Sequence, residues 1–296
     1  MSISAKARSL DHLVLPTADL GVARARLAAL GFTVAPVGIH PFGTENACVY
    51  FSDGTFLEPL AIGDAGKVDE AIAAQNVFVA RDRLFRERNG GEGFSALVFG
   101  TEDADADHAV FVRAAVSAGP RLDFSRPFVD ASGKADTASF RLAFAAEADM
   151  PDAFFFTCER VNAPKVDRSA LQAHANGARR IVGVMAASAD PEAHSGFFNV
   201  VAGTEAGIAS GETIQFELPN ATIALTDPTG LKAAFGVEAP SASSLRLAAI
   251  VFGVKDLART EALLIADAVD YHRRGSRLIV PPAAGQGAIF AFEEFS

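Results

Sequence analysis

Six histidines, at positions 12, 40, 108, 174, 194 and 272, are the groups through which this chain could bind a metal or move a proton near neutral pH. His12 lies in Asp11-His12-Leu13-Val14-Leu15, where polar and apolar residues alternate as on a strand, so its imidazole can enter a pocket on the face opposite Leu13. The same pattern fits a hydrogen-bonded histidine at a strand edge. Glu58 sits in Thr55-Phe56-Leu57-Glu58-Pro59-Leu60, and a carboxylate among apolar neighbours needs compensation. A divalent ion shared with His12, an arginine or a substrate hydroxyl network would each supply it. The loop Gly38-Ile39-His40-Pro41-Phe42-Gly43-Thr44-Glu45-Asn46 adds one histidine and three polar side chains between glycines. It suits a pocket rim, and equally a turn-rich connection. His108, His194 and His272 fall within or just after helical patterns beside charged or small residues and read as surface groups. No G-x-S-x-G elbow, P-loop or dinucleotide fingerprint occurs, which sets aside the common hydrolase and nucleotide-dependent classes.

These residues need elements to hold them, and one pattern of elements recurs. Leu13–Leu15 is apolar, Asp19 can cap, and Leu20, Ala23, Leu27 and Leu30 recur at helical spacing before Gly31. Extended candidates follow at residues 32–36, 47–51 and 55–60. A second copy runs from residues 94–99 past Asp103, through a helix over about 105–118, to strands at 122–129, 139–145 and 153–158. A third starts at 181–187, with the Asp190-Pro191 pair opening a helix whose buried stripe is Ala193, Phe197 and Val200. A fourth has 247–254, Asp256, a helix over 257–268, and strands at 277–280 and 288–292. The capping aspartates are separated by 84, 87 and 66 residues, too irregular for a solenoid. A lone βαβββ unit leaves one apolar sheet face bare, and pairing units into a curved sheet buries it and creates a concave pocket. The expected fold is therefore α+β, with about four βαβββ modules paired into cupped, barrel-like mixed sheets. The loop-like stretch 160–179, with Asn162, Pro164, Asn176 and Gly177, places the domain boundary near 168, giving domains 1–168 and 169–296.

Composition narrows the partners. Of 296 residues half are apolar and 24 are Phe, against no Trp and two Tyr, which implies a large packed interior. A net charge of −10 argues against nucleic acid, whose binding relies on Lys and Arg. Arg81, Arg83, Arg86 and Arg88 are interleaved with Asp82 and Glu87 and read as a solvated helix face in preference to an anion site. Cys48 and Cys158 have no metal-ligand spacing and read as reduced thiols. The start MSISAKARSL has no long apolar run, and no stretch approaches the roughly 20 residues that span a bilayer, so a cytoplasmic location is expected.

Taken together, residues 10–15, the loop His40–Ala47 and residues 51–58 resemble the glyoxalase-like branch of the vicinal-oxygen-chelate superfamily. His174-Ala175-Asn176-Gly177-Ala178 looks like a second hallmark, and residues 245–293 look like a terminal module. The resemblance implies a cupped sheet holding a divalent metal (Zn, Ni, Mn or Fe) that chelates two neighbouring oxygens of a small-molecule substrate and stabilises an enediolate or similar anion. It implies His12 and Glu58 as metal ligands, Glu58 and His40 as catalytic groups, and Thr44, Asn46, Arg160 and His174 as substrate-binding groups. The activity implied is that of a lyase, isomerase or related enzyme. A ring-cleaving dioxygenase and a non-catalytic protein that binds or sequesters a small molecule are the alternatives, and a homodimer is compatible with each. The chain departs from the pattern at Ala96, Gly183 and Ala249, which stand where the other modules would repeat His12. It also departs at Arg160, which ends Phe156-Thr157-Cys158-Glu159-Arg160 where relatives often read Cys-Gln-His. A fixed cation there can hold a substrate carboxylate.

Overall fold

The computed structural model describes residues 7–129, 135–163, 166–210, 213–238 and 244–295, so Pro164 and the first six residues lie outside it. The first unit consists of β1 (Leu10–Pro16), α1 (Leu20–Ala29), β2 (Gly38–Ile39), β3 (Thr44–Asn46), β4 (Val49–Tyr50) and β5 (Phe56–Ile62), and is followed by α2 (Ala65–Ala73) and α3 (Val77–Asn89). The second has β6 (Ala96–Thr101), α4 (Ala104–Arg113), β7 (Leu122–Val129), β8 (Ala135–Ala145) and β9 (Phe154–Asn162). The third has β10 (Ala178–Ala187), a 3-10 turn at Glu192–His194, α5 (Ser195–Ala202), β11 (Ile208–Ser210), β12 (Thr213–Glu217) and β13 (Thr222–Thr226), with α6 (Pro228–Phe235) after it. The fourth has β14 (Arg246–Val254), α7 (Leu257–Ala266), β15 (His272–Arg274), β16 (Arg277–Val280) and β17 (Ile289–Glu294).

The four aspartates sit at equivalent turns. Asp19 accepts from Gly21 and Val22 N–H, Asp103 from Ala106 and Asp256 from Arg259, each satisfying donors a helix start leaves free. Asp190 accepts from Ala193 N–H at 3.2 Å, but its turn opens as 3-10 before α5 begins. That shift rotates the buried stripe, which is Phe197, Phe198, Val201 and Ala202, with Val200 partly buried against the core and Ala193 exposed. Other expectations also change. Residues 32–36 form no strand: Pro36 has no N–H to give a ladder, and Phe32 turns into the core. Helix α4 stops at Arg113 because Ala115 takes φ 56° and Ser117 bridges to Ala145. Two members of the arginine cluster are anchors as well as part of a helix surface. Arg86 donates to the carbonyls of Thr17, Leu60 and Gly91 and pairs with buried Asp82 at 2.7 Å, while Arg88 holds Asp152 at 2.8 Å.

Two sheets result, ordered β2-β3-β5-β1-β6-β9-β8-β7, with β4 beside β5, and β11-β12-β13-β10-β14-β17-β16-β15. Within each unit the first and last strands pair in parallel, as β1 with β5, β6 with β9, β10 with β13 and β14 with β17. Units are joined through their first strands, β1 antiparallel to β6 and β10 to β14, so unit one pairs with two and three with four. One face of each sheet, with Leu13, Leu57, Leu97 and Phe155 from the first and Ile181, Ile250 and Phe290 from the second, enters a single apolar core shared with α1, α4, α5 and α7. Gly31 marks one close approach. It has φ 79°, and a Cβ there would stand 2.9 Å from Asn176 N, where the loop around Asn176 docks on the end of α1.

The opposite faces are concave and filled differently. In the second sheet, Leu231 and Phe235 of α6 pack on Ala249, Val251, Ile289 and Ala291 and occupy the cup. In the first, α2 and α3, inserted at the same point after a last strand, bring Val68, Phe78 and Val79 against Val14, Ala96, Val98 and Phe156. They fill only one end, and the cup stays open at the other.

Phe252 is fully buried and packs its ring 5.1–5.7 Å from those of Phe32 and Phe51 of the first unit and of Phe292 on the neighbouring strand β17. Replacing it with Ala should cost about 3–5 kcal/mol in urea unfolding, whereas Ile265→Ala, at an exposed site, should stay within about 0.5 kcal/mol. A loss below about 1 kcal/mol for Phe252→Ala would show that the sheets do not share this core.

Candidate functional site

The open cup is a cavity of about 170 Å³ with His12, His40, Asn46 and Glu58 at its polar end and Phe42, Phe56, Phe124 and Phe140 among its walls. His12 and Glu58 meet because β1 and β5 are parallel: His12 pairs with Phe56 and Val14 with Glu58, so all four share the concave face. Asp11 should face away by strict alternation. It does not, because the β1–β6 register slips between Leu10 and His12, and this bulge turns Asp11 to the same side.

The charges form a line. Arg160 Nη2 donates to Asp11 Oδ1 at 2.6 Å, and His12 Nδ1 donates to the same oxygen at 2.8 Å. His12 Nε2 faces Glu58 Oε2 at 3.5 Å, and Asn46 Nδ2 donates to Glu58 Oε1 at 2.6 Å. His40 Nε2 stands 3.7 Å from that second oxygen and receives a longer contact from Asn46 Nδ2 at 3.5 Å, so its Nδ1–H is the one given to Thr44 Oγ1, at 2.9 Å. The rings are held by stacking, His12 on Phe56 at 4.3 Å and His40 on Phe42 at 5.0 Å. Burial acts to lower the His12 pKa, but its hydrogen bonds to Asp11 and Glu58 outweigh it and raise the value. Burial acts to raise the Glu58 pKa, and the contact with His12 overrides it and holds the carboxyl at about 2. His40 has no such partner, so burial pushes it down to about 4 and it is neutral. The Cys48 thiol, also on the wall, is pushed up to about 12 by burial and is inert as a nucleophile. Asp11, His12, Glu58 and Arg160 balance one another. Arg126 and Arg168 also line the cup, lying over Phe140 and Tyr50, and neither pairs with a carboxylate among the described residues. The cup is therefore electropositive.

A divalent ion fits this donor set on one side only. Two ligands about 2.1 Å from one tetrahedral ion stand roughly 3.4 Å apart, and His12 Nε2 and Glu58 Oε2 are 3.5 Å apart. The Nδ1 bond to Asp11 orients the ring as ligating histidines usually are. Across the cup, the positions equivalent to His12 and Glu58 in the second unit are Ala96 and Phe156 and donate nothing. Among the described residues no three His, Cys, Asp or Glu side chains converge as a metal site. An ion on His12 and Glu58 would leave its remaining positions to substrate oxygens or water.

Of the residues expected in the site, His12, His40, Asn46, Glu58 and Arg160 line the cup. Thr44 is fully buried and does not line it; it sits behind His40 as a hydrogen-bond partner. His174 is not brought to the cup. Its Nδ1 accepts from Thr33 N–H and its Nε2 donates to Tyr50 O, both at 3.0 Å, between Phe32 and Phe51, so it is a packing group with no nitrogen to spare. His194 is buried and bonded, His272 bonds to Phe235 O, and His108 is half-buried, so none of the three is a free surface group. Asp11, Arg126 and Arg168 were missed. Asp11 carried the signal of adjacency to His12, but Arg126 and Arg168 are separated from it by more than a hundred residues and had none.

A family model described as "Glyoxalase-like domain" matches residues 10–200. No curated protein matches the chain. Among solved structures, a hypothetical protein from Staphylococcus aureus superposes with TM-score 0.66 at 13% identity, covering 97% of this chain and 99% of that one. A mutant 4-hydroxymandelate synthase from Streptomyces coelicolor gives TM-score 0.62 at 12% identity, covering 98% and 93%. The Mn(II)-bound glyoxalase from Novosphingobium aromaticivorans gives 0.53 at 11%, covering 98% and 82%. At these identities the likeness is one of fold.

The raised His12 pKa has a checkable sign. Its folded value lies above the ordinary 6.5, so its ion pairs stabilise the fold fully below that pH, and the stabilisation is lost as pH rises through the raised value. In an NMR titration His12 should remain doubly protonated above pH 6.5. Glu58→Gln should move its midpoint down, and an unchanged midpoint would show that the two groups are not coupled.

Proposed function

The chain belongs to the glyoxalase-like domain family of the vicinal-oxygen-chelate superfamily, and we propose that it is an enzyme acting on a small, vicinally oxygenated metabolite that carries an anionic group. One observation supports this above the rest: a neutral His40 faces a buried Asp11–His12–Glu58 line at a cup also lined by Arg126 and Arg168, which pair with no carboxylate among the described residues. The arginines hold the anionic end of the substrate, and the phenylalanines exclude water from the rest. The two neighbouring oxygens then reach the polar end of the cup. His40 Nε2, with its lone pair turned inward and Nδ1–H anchored on Thr44, takes a proton from the carbon beside the substrate carbonyl and returns it to the adjacent atom, which is lyase or isomerase chemistry. Asn46 Nδ2 keeps Glu58 Oε1 in place throughout. A divalent ion (Zn, Ni, Mn or Fe) would be held by Glu58 and by His12 Nε2 in place of the proton that Nε2 otherwise carries, and when bound would supply Lewis-acid polarisation of those oxygens.

The apolar half-site of Ala96 and Phe156 favours a second reading, in which the cup binds and sequesters the same class of molecule without turnover.

Two measurements test the proposal. Wild type and Glu58→Gln, purified side by side without chelators and analysed for metal together with thermal unfolding, should differ in metal retention far more than in Tm. Equal metal in both, or none in either, removes the His12–Glu58 seat. Against a panel of α-hydroxy-carbonyl and α-keto acids, His40→Ala should lower kcat by about 10²–10⁴-fold. Arg126→Ala should chiefly raise KM for anionic substrates. Tight binding with no turnover of any of them selects the sequestering role.

A further inference from the structure

A second cavity, of about 260 Å³, lies between the C-terminal half of α3 and the strands β10, β14 and β17, and Ser188 lines it. The Ser188 hydroxyl accepts from Asp190 N–H at 3.2 Å, which leaves its own proton for His194 Nε2 at 3.0 Å in preference to Asp190 O at 3.4 Å. His194 Nδ1 is 3.1 Å from Glu147 Oε2. Hydroxyl on Nε2 and carboxylate on Nδ1 is the order of a nucleophile, its base and the group that orients the base. Such a set is recognised by geometry, and here it assembles from the β8–β9 connection, the end of β10 and the 3-10 turn, with no nucleophile elbow in the sequence.

The turn itself does not require this relay. Thr17 and Thr101, at the equivalent turns of the first two units, make the matching contacts to Asp19 O and Asp103 N with no histidine among their hydrogen-bond partners. A donor is also in place. Arg246, the neighbour of Ala187 across the β10–β14 ladder, lines the same cavity; its Nη2 stands 3.7 Å from Asp152 Oδ2, while its Nε is buried and has no hydrogen-bond partner among the described residues. The other walls are largely apolar, including Phe94, Leu231, Leu247 and Ile289.

We propose that Ser188 and His194 are the catalytic residues, and Glu147 a positioning residue, of a second site that hydrolyses esters of small apolar carboxylic acids. Ser188 Oγ bonds to the ester carbonyl carbon as its proton passes to His194 Nε2, and the carbonyl electron pair moves onto the oxygen facing Arg246 Nε–H. That pair re-forms the carbonyl as the ester C–O bond breaks, and the alcohol leaves with the proton from His194. Water, giving a proton to His194, then displaces Ser188, which regains its proton as the acid departs.

The full-length protein, treated with a fluorophosphonate probe and mapped by mass spectrometry, should carry the adduct on Ser188, and it should hydrolyse p-nitrophenyl butyrate. Ser188→Ala and His194→Gln should each lower kcat/KM by at least about 100-fold. Glu147→Gln should lower kcat with KM unchanged, and Glu147→Asp should restore part of the loss. A folded wild type with no adduct on Ser188, or hydrolysis that persists in His194→Gln, overturns the proposal. Should Ser188→Ala not fold, the adduct map of the wild type and the His194→Gln rates decide alone.

Discussion

Two carboxylates, Asp11 and Glu58, are each about 5% exposed at one end of a phenylalanine-walled cup, and neither charge would survive there alone. His12 stands between them and serves both, through Nδ1 and Nε2, while Arg160 closes one end of the line and Asn46 the other. Most of the site's geometry follows from that compensation. The parallel pairing of β1 with β5 sets the separation of His12 and Glu58, the bulge at Asp11 brings the first carboxylate round, and β9 must deliver Arg160 from the neighbouring unit. The cup therefore depends on the pairing of the first two units, although most of its polar groups come from the first.

The molecule is two versions of one plan that solve the concave face differently. In both sheets helical chain is inserted after the last strand of the odd-numbered unit. In the second sheet that helix, α6, lays Leu231 and Phe235 into the cup, and the surrounding strand residues are small or aliphatic to receive it. In the first, α2 and α3 reach only part of the way, and the C-terminal end of α3 is tied by Arg86 to Leu60 and Thr17 and by Arg88 to Asp152. Asp152 is the hub of that attachment, also accepting from Asn89 and Ser244, and its carboxyl is held near 2 against the effect of burial.

Histidine protonation divides the cup into two functions. His12, bracketed by carboxylates, holds its proton and acts as a buried cation; His40, which meets one carboxylate oxygen only at 3.7 Å, does not. Two rings on the same face thus take opposite charge states because one has direct acidic partners and the other has a threonine and an amide. Arg126 and Arg168, whose guanidinium groups rest on aromatic rings, leave the cup positive towards a ligand.

The βαβββ periodicity, the four capping aspartates and the polar residues of the first unit were legible in the amino-acid sequence because each rests on local chemistry: period-2 alternation, a cap before a helical stripe, a carboxylate among apolar neighbours. So was the likeness of about residues 9–62 to one family. Tertiary structure decided what local patterns do not encode. The facing of Asp11 reversed through a one-residue slip in register, which alternation alone places on the wrong side. His174 looked like a hallmark ligand, yet both its nitrogens are used by backbone groups more than a hundred residues away. His194 looked like a surface group, but its two partners lie in a separate connection and at a strand end. The arginines of α3 were legible as one face of a helix but not as anchors, because Leu60 and Asp152, which they hold, are distant in sequence. What remained hidden in each case was a long-range contact, because a single sequence records which groups are present and not which of them are brought within hydrogen-bonding distance.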